Sequence, residues 1–584
     1  MKTTIQKLWI IIAMLCASAY ASAYDFVSEG IAYTITSLPD LECSVSSADV
    51  LYEGDIIIPA KVNYRGKQLT VVSIGDKAFE NSAVTSVTLI PKSLCKIGYR
   101  AFADCNLLRS ILLNEGLQTI DDEAFSGCSL LQSINFPKTV QSIGEGCFYG
   151  CTLIETIVLP NTLTKLGSSA FKKCTNLRKV TLSGLITLEA HTFEGCINLN
   201  SVTLSGLSTL EAYTFNGCVN LNSVTWDDNL QSIGSYAFSD CGFESFQIPN
   251  SVTSIGKSIL SGNKRLQSFT IGNGLNEISS DPIEDCPNVK NLIIADGDKS
   301  LELNFSGGEY KRLIEGVYIS PGAYADTDLE YVYVGRAISP MKENIGYYTE
   351  YYTLPPFHGN KSIKTVEIGP KVLSLRNVSI SVYDYGWLED CTNLETVRFL
   401  GMRTIRKRFA PNATSLKYIE FSDSTENIEE SAFFNCPSLE TVILGTNVSS
   451  IGRSAFYNNS IASIYCKAKT PPTCETNNFP NTVYLHCNLY IPSGTEDAYK
   501  QTSPWNNFWN ICEETGIANI YGEDIKIWLK ENSLYISGKK ESQIVEIYNT
   551  QGQLVESTTA SIIEMKSKGT FIVKIGSWAQ KIML

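Results

Sequence analysis

The sequence predicts a repeat solenoid built from short parallel β-strands with little helix. Three observations lead there. A Phe preceded by a small residue recurs at Phe79, Phe102, Phe125, Phe148 and Phe171, each 23 residues after the last, and continues at Phe193, Phe215 and Phe238. A period of that length marks stacked units, because one unit is too small to bury its own apolar face and must lean on its neighbours. Within each unit, short alternating apolar stretches are punctuated by Pro and Gly, which gives strands and turns. Finally, a Cys stands three residues after the Phe position in unit after unit.

Taken in order, residues 1–23 read as a signal peptide. They carry Lys2 and Lys7, an apolar run from Leu8 to Cys16, and Ala21-Ser22-Ala23, the small-x-small form of a cleavage site. The unit from Ala124 to Phe148 shows the repeat. Ile134-Asn135-Phe136 alternates as a strand, Pro137 stops it by removing a ladder donor, Val140 to Ile143 makes a second extended piece, and Gly144 turns the chain. Where the spacing falls to 22, the missing residue lies in a turn. Pro160-Asn161-Thr162 is replaced by Ser-Gly in the next two units, and the link from Cys241 to Phe246 is one residue shorter than that from Cys218 to Val224. Strand positions are expected to stay in register while turns absorb the change.

The pattern L-x-S-I-x-x-P-x-x-V-x-x-I-G-x-x-A-F-x-x-C resembles the leucine-rich repeats of BspA-like bacterial surface proteins. Leu131-Gln132-Ser133-Ile134 through Ile143-Gly144, and Ser251 to Gly256, match it closely. The resemblance implies a right-handed coil of ~23-residue units, with a β-rich cap over 24–69, a repeat array over 70–295 and a second block with its closing cap over 357–515. Between them, 296–356 loses the beat and is rich in Tyr, including Tyr310, Tyr324, Tyr331, Tyr333, Tyr347, Tyr348, Tyr351 and Tyr352. Residues 524–584 alternate as strands of a small β-sandwich. Ile547-Tyr548-Asn549 through Val555, followed by Gly569 to Lys574, resembles a type IX secretion carboxy-terminal sorting domain, which implies contact with export machinery.

Composition narrows the function. The formal net charge is −13, and removal of the leader takes two more positive charges away. Such a chain lacks the basic footprint of a nucleic-acid binder. No segment after the leader is an unbroken apolar run long enough to span a membrane.

Cysteines 105, 128, 151, 174, 196, 218 and 241, continued by Cys286, Cys391 and Cys436, form one file along the stack. Parallel side chains on rungs about 4.8 Å apart do not converge to the roughly 3.8 Å that bonded Cβ atoms need, so the file reads as buried free thiols packed as small apolar fillers. Cys466, Cys474, Cys487 and Cys512 lie outside it; the first three are the disulfide candidates, and the pairing of the four is open.

Only His191, His358 and His486 are available for acid–base chemistry, and no Ser-His-Asp or Cys-His set assembles, so catalytic residues, metal ligands and cofactors are expected to be none. Asp227-Asp228-Asn229 and Asp296-Gly297-Asp298 are acidic turns without a calcium-loop spacing. Tyr supplies contact area at low entropic cost, so Tyr347, Tyr348, Tyr351 and Tyr352 are the candidate binding residues. The expected function is an exported cell-surface binding protein, adhering to an extracellular protein or glycan. The alternatives are a structural surface or vesicle component and, behind it, an enzyme.

Overall fold

The computed structural model describes residues 24–584 except 308, 310, 315–316, 340–343, 346–349, 374, 376, 381–382, 515–525, 531–532, 538–544, 550–552, 559–561, 565–569, 576–577 and 584. The chain coils as a β-solenoid of about 18 turns. A typical coil lays one strand on a first wall and a shorter one on a second, then turns a tight corner at the Phe position; the predicted strand Ile134-Asn135-Phe136 is reduced to a single bridge at Ser133. The first wall is an open run of parallel sheets, the longest an 11-stranded sheet from Ser245–Gln247 to Asn510–Glu514. Registers confirm that the shortened turns leave the strands aligned: Val158 faces Thr181, and Leu182 faces Leu204.

The corner shows why these residue types recur. Its Phe rings stack nearly parallel from Phe79 on Phe102, with centroids 4.8 Å apart, to Phe215 on Phe238 at 5.4 Å. Two residues before and two after each Phe the backbone is left-handed, as at Arg100 (φ 50°) and Asp104 (φ 58°) or Tyr236 (φ 56°) and Asp240 (φ 51°). A non-Gly residue in that region costs roughly 1 kcal/mol. The stack holds it there because the corner amides bond to the next coil: Phe79, Phe102 and Phe125 donate to the carbonyls of Ala101, Ala124 and Cys147 at 2.7, 2.7 and 2.8 Å.

Every cysteine among the described residues is a free thiol, Cys466, Cys474, Cys487 and Cys512 included, so the expected disulfide candidates are corrected. Tyr499 instead donates its hydroxyl to Cys466 Sγ at 3.1 Å. The file does more than fill space. Cys105, Cys128 and Cys151 donate to the Phe carbonyl of the preceding coil, Phe79, Phe102 and Phe125, at 3.0, 3.1 and 3.2 Å, and Cys174, Cys196, Cys218 and Cys241 repeat this. Where Cys is replaced, an amide takes over: Asn263 donates to Phe238 O at 2.8 Å and Asn459 to Phe433 O at 3.1 Å. Ser82 holds this position in the first coil, with no earlier Phe beneath it, and its buried hydroxyl finds no partner. The position therefore carries a donor in most coils, Ala413 being an exception, which hydrophobicity alone does not predict.

The expected irregular block at 296–356 is also corrected. The 11-stranded sheet runs straight through it, with Asn291 facing Tyr331, Tyr331 facing Thr365 and Thr365 facing Thr396. Three successive coils each carry extra chain at the same point, between the second-wall strand and the corner. Lys311–Ile314, Val317–Ser320, Asn344–Ile345 and Glu350–Thr353 from two of these extensions make a four-stranded side sheet, and the third contributes the hairpin Val378–Ile380 with Tyr383–Tyr385. The corner persists in aromatic form, Tyr324 stacking on Phe357 at 5.9 Å and Phe357 meeting Trp387 at 6.2 Å. Periodicity is lost to the eye because the coils lengthen, not because they stop.

Arg336 secures the junction with the shorter coils. Its side chain is fully buried and donates to the carbonyls of Gly272 and Asn273, both at 2.9 Å, and of Leu275 at 2.5 Å. Burial lowers its pKa to about 10. Arg336→Met removes the charge but strands these carbonyls in the interior, an expected loss of about 3 kcal/mol or more in urea unfolding. A loss under about 1 kcal/mol would contradict this role.

The ends are capped. Antiparallel strands Phe26–Ser28, Ile31–Ser37 and Glu42–Ser46 precede the coil. At the other end Trp505 is buried and donates its indole N–H to Pro472 O at 2.7 Å. The C-terminal strands form two small antiparallel sheets, of three and four strands.

Candidate functional site

Strand alternation on the first wall sends every second residue outward, and parallel pairing lines these residues into two files. In the earlier coils the files hold mostly small residues, Thr156, Ser201 and Ser223 with the longer Lys179 in one and Val158, Thr181, Thr203 and Thr225 in the other. Across the lengthened coils they change character. One file reads Tyr331, Thr365, Thr396, Tyr418 and the other Tyr333, Glu367, Arg398, Glu420.

These large side chains hold one another. The Arg398 guanidinium lies 2.8 Å from Glu367 and 3.5 Å from Glu420, and sits over the Tyr418 ring at 5.7 Å from its centroid. Tyr331 donates its hydroxyl to Glu367 at 3.0 Å, Tyr418 to Glu420 at 3.1 Å and Tyr333 to Asp296 at 2.7 Å. Burial first, then the acceptor carboxylates Glu367 and Asp296, push the Tyr331 and Tyr333 hydroxyls far above their ordinary pKa. The Arg398, Glu367 and Glu420 side chains remain 25 %, 21 % and 21 % exposed. The result is a rigid patch of aromatic rings with polar tips, continued toward the closing cap by Tyr465 stacked on Tyr490 at 4.5 Å.

The residues expected to bind are placed differently. Tyr347 and Tyr348 lie outside the described residues. Tyr351 is described in its backbone, which pairs with Tyr318. Tyr352 is 8 % exposed and packs with Val378, Ile319 and Tyr385, so its ring is core for the side sheet and not an exposed anchor. Tyr324 is fully buried in the corner stack. Of the Tyr-rich stretch, Tyr331 and Tyr333 reach the outer face. Their signal was present in Tyr331-Val332-Tyr333-Val334, a strict alternation with Val inward, which follows Leu329 as strands follow Leu in other units.

The remaining candidates are engaged structurally. His191 is half-buried at a corner, its ring stacked on Tyr213 at 4.9 Å, beside Glu194, which Lys172 also contacts at 2.7 Å. His358 packs edge-on against Tyr385, and burial lowers its pKa. His486 ends the short helix Asn481–His486. One carboxylate of each acidic turn is engaged: Asp227 accepts from the Gly206 amide at 2.8 Å, and Asp298 pairs with Lys371 at 2.7 Å on the surface. Among the described residues no cluster of three or more His, Cys, Asp or Glu could hold a metal ion, and no helix is long and apolar enough to cross a membrane.

The model of the BspA type leucine rich repeat region matches residues 72–200, 186–305 and 357–490, more than half the chain. The protein belongs to this family. Its repeats are similar to solved structures of other bacterial proteins. A leucine-rich repeat protein of Bacteroides ovatus is 23 % identical, with 84 % of this chain and 100 % of that one covered and a TM-score of 0.39. The leucine-rich repeat protein of T. pallidum is 30 % identical over 34 % of this chain and 90 % of its own, TM-score 0.30. A leucine rich cell surface protein of Faecalibacterium prausnitzii is 18 % identical over 85 % and 97 %, TM-score 0.26. No curated protein matches.

Proposed function

We propose that the protein is a cell-surface binding protein, exported through its leader and C-terminal module, that adheres to host or neighbouring-cell macromolecules through the outer face of its long sheet. The observation that carries this reading is the patch around Arg398. Its rings and charges are fixed by one another before any partner arrives, which lowers the entropic cost of binding. Tyr and Arg are also the residue types that dominate recognition surfaces. The fold is a scaffold for this surface and not for catalysis.

The test is binding of the full chain to immobilised extracellular-matrix proteins and cell-surface glycans. Tyr418→Ala and Arg398→Ala are each expected to weaken capture by about 2 kcal/mol, close to thirtyfold, while the melting temperature stays within a few degrees. Undiminished capture by both folded variants would overturn the assignment to this face.

A further inference from the structure

The first wall is not one continuous sheet: it breaks after Ser110–Leu112, where the next coil offers only a bridge at Ser133, and again after Ser223–Trp226. Ser223–Trp226 pairs with Ser201–Leu204 on one side, and Ser245–Gln247 pairs with Ser268–Ile271 on its far side, but the two do not pair with each other. Their approach ends at Gly242, whose amide donates to Leu221 O at 2.9 Å. The shortened link after Cys241 forces this. At Gly242 a Cβ would lie 2.7 Å from Val219 O, and beyond it the strands do not close. The expectation that every length change is absorbed silently in a turn fails here.

Inward-facing residues are uncovered as a result. Val202 and Leu204 are 1 % and 3 % exposed, whereas Val224 and Trp226, facing them across the ladder, are only half-buried. A cavity of about 310 Å³ opens there, floored by Val224, Phe243 and Phe246 beside the Trp226 indole; Gln553 of the C-terminal module borders its mouth. Phe246 meets Trp226 edge-on at 5.5 Å and Phe238 does so at 6.1 Å, which fixes the indole in place. Around it stand Asn222, Asp228 and Gln247. In contrast to the Arg398 patch, where the polar groups satisfy one another, these three side chains have no hydrogen-bond or ion-pair partner among the described residues.

We infer that this slit is a second binding site, taking a neutral glycan. One face of a sugar ring is a sheet of C–H groups that packs on an indole, while its hydroxyls need a carboxylate and amides that can accept and donate in pairs. Trp226 supplies the first, and Asp228, Asn222 and Gln247 the second. The volume suits a small ligand. No Lys or Arg lines the cavity, so nothing there compensates a sulfate or carboxylate on the ligand. An extended peptide would instead have to pair with both strand edges.

The test applies the full chain to a printed array of neutral, sialylated and sulfated oligosaccharides, followed by calorimetric titration of the best neutral binder. Trp226→Leu restores the residue type of the neighbouring coils and is expected to preserve the fold while weakening binding about tenfold or more, a loss of ~1.4 kcal/mol. Asp228→Asn, an exposed change, is expected to weaken it similarly. The inference is overturned if only acidic glycans bind, if no glycan binds, if an extended Val/Thr peptide displaces the sugar by pairing with the strands, or if both slit variants bind like the parent.

Discussion

Raising the pH from about 8 to about 10 is expected to destabilise this protein steeply, and the cysteine file is the main cause. Burial raises the file's thiols from the ordinary value of 9.0 to about 12 at Cys105, Cys196, Cys391 and Cys436, and well above it at Cys128, Cys151, Cys174 and Cys218. The sign follows from which state can ionise. Below about pH 9 both states hold their protons and the thiols' contribution is complete. Above it the unfolded chain releases protons that the folded chain keeps, so stability falls until the folded thiols themselves ionise.

Between about pH 8 and 10 each of these eight thiols costs about 1 kcal/mol, on the order of 10 kcal/mol together, comparable with the whole stability of a typical domain. The check is the melting temperature between about pH 7 and 10, beside a variant with Cys151, Cys174 and Cys196 changed to Ser, whose melting temperature should fall less steeply over that range. A melting temperature that holds steady to pH 10 would refute the account.

Phe171→Ala is expected to cost about 3–5 kcal/mol. Phe171 is fully buried and stacks on Phe148 at 5.2 Å and Phe193 at 5.6 Å. Losing the ring leaves a cavity between two coils whose backbones are tied together at that corner, where Phe171 donates its amide to Thr192 O at 2.9 Å. In an array whose stability is a sum of nearest-neighbour terms, a defect in the middle weakens the coupling between its two sides. Urea unfolding should show a lower midpoint and a broadened or divided transition. Phe171→Leu, which refills most of the volume, should cost less than about 1.5 kcal/mol. Equal effects from both would mean that the stacked file is not what couples the coils.

Much of this architecture was legible in the residues. The corner Phe, the Cys three residues on and the strand alternation follow from spacing alone, because in a stacked repeat every unit has the same neighbours and sequence offset is equivalent to spatial contact. The donor role of the Cys file was legible in principle, in the exchange of Cys for Asn at Asn263 and Asn459, yet only the geometry shows the Phe carbonyl that both residues satisfy.

What the sequence by itself determined, then, is the coil: its period, its corner, its buried files and the small residues of its first-wall exterior. Tertiary structure alone decided the surfaces that act. Tyr331 bonds to Glu367, and Arg398 to Glu367, only because lengthened coils bring their strands into one register. Tyr352 became core because the chain added to successive coils meets and pairs on itself. The slit at Trp226 exists because one missing residue was not absorbed by its turn but left a ladder unclosed. Periodic contacts are set by local offset and can be read one unit at a time, whereas these depend on which coils lie side by side and on whether the strands between them close, which is a property of the assembled stack.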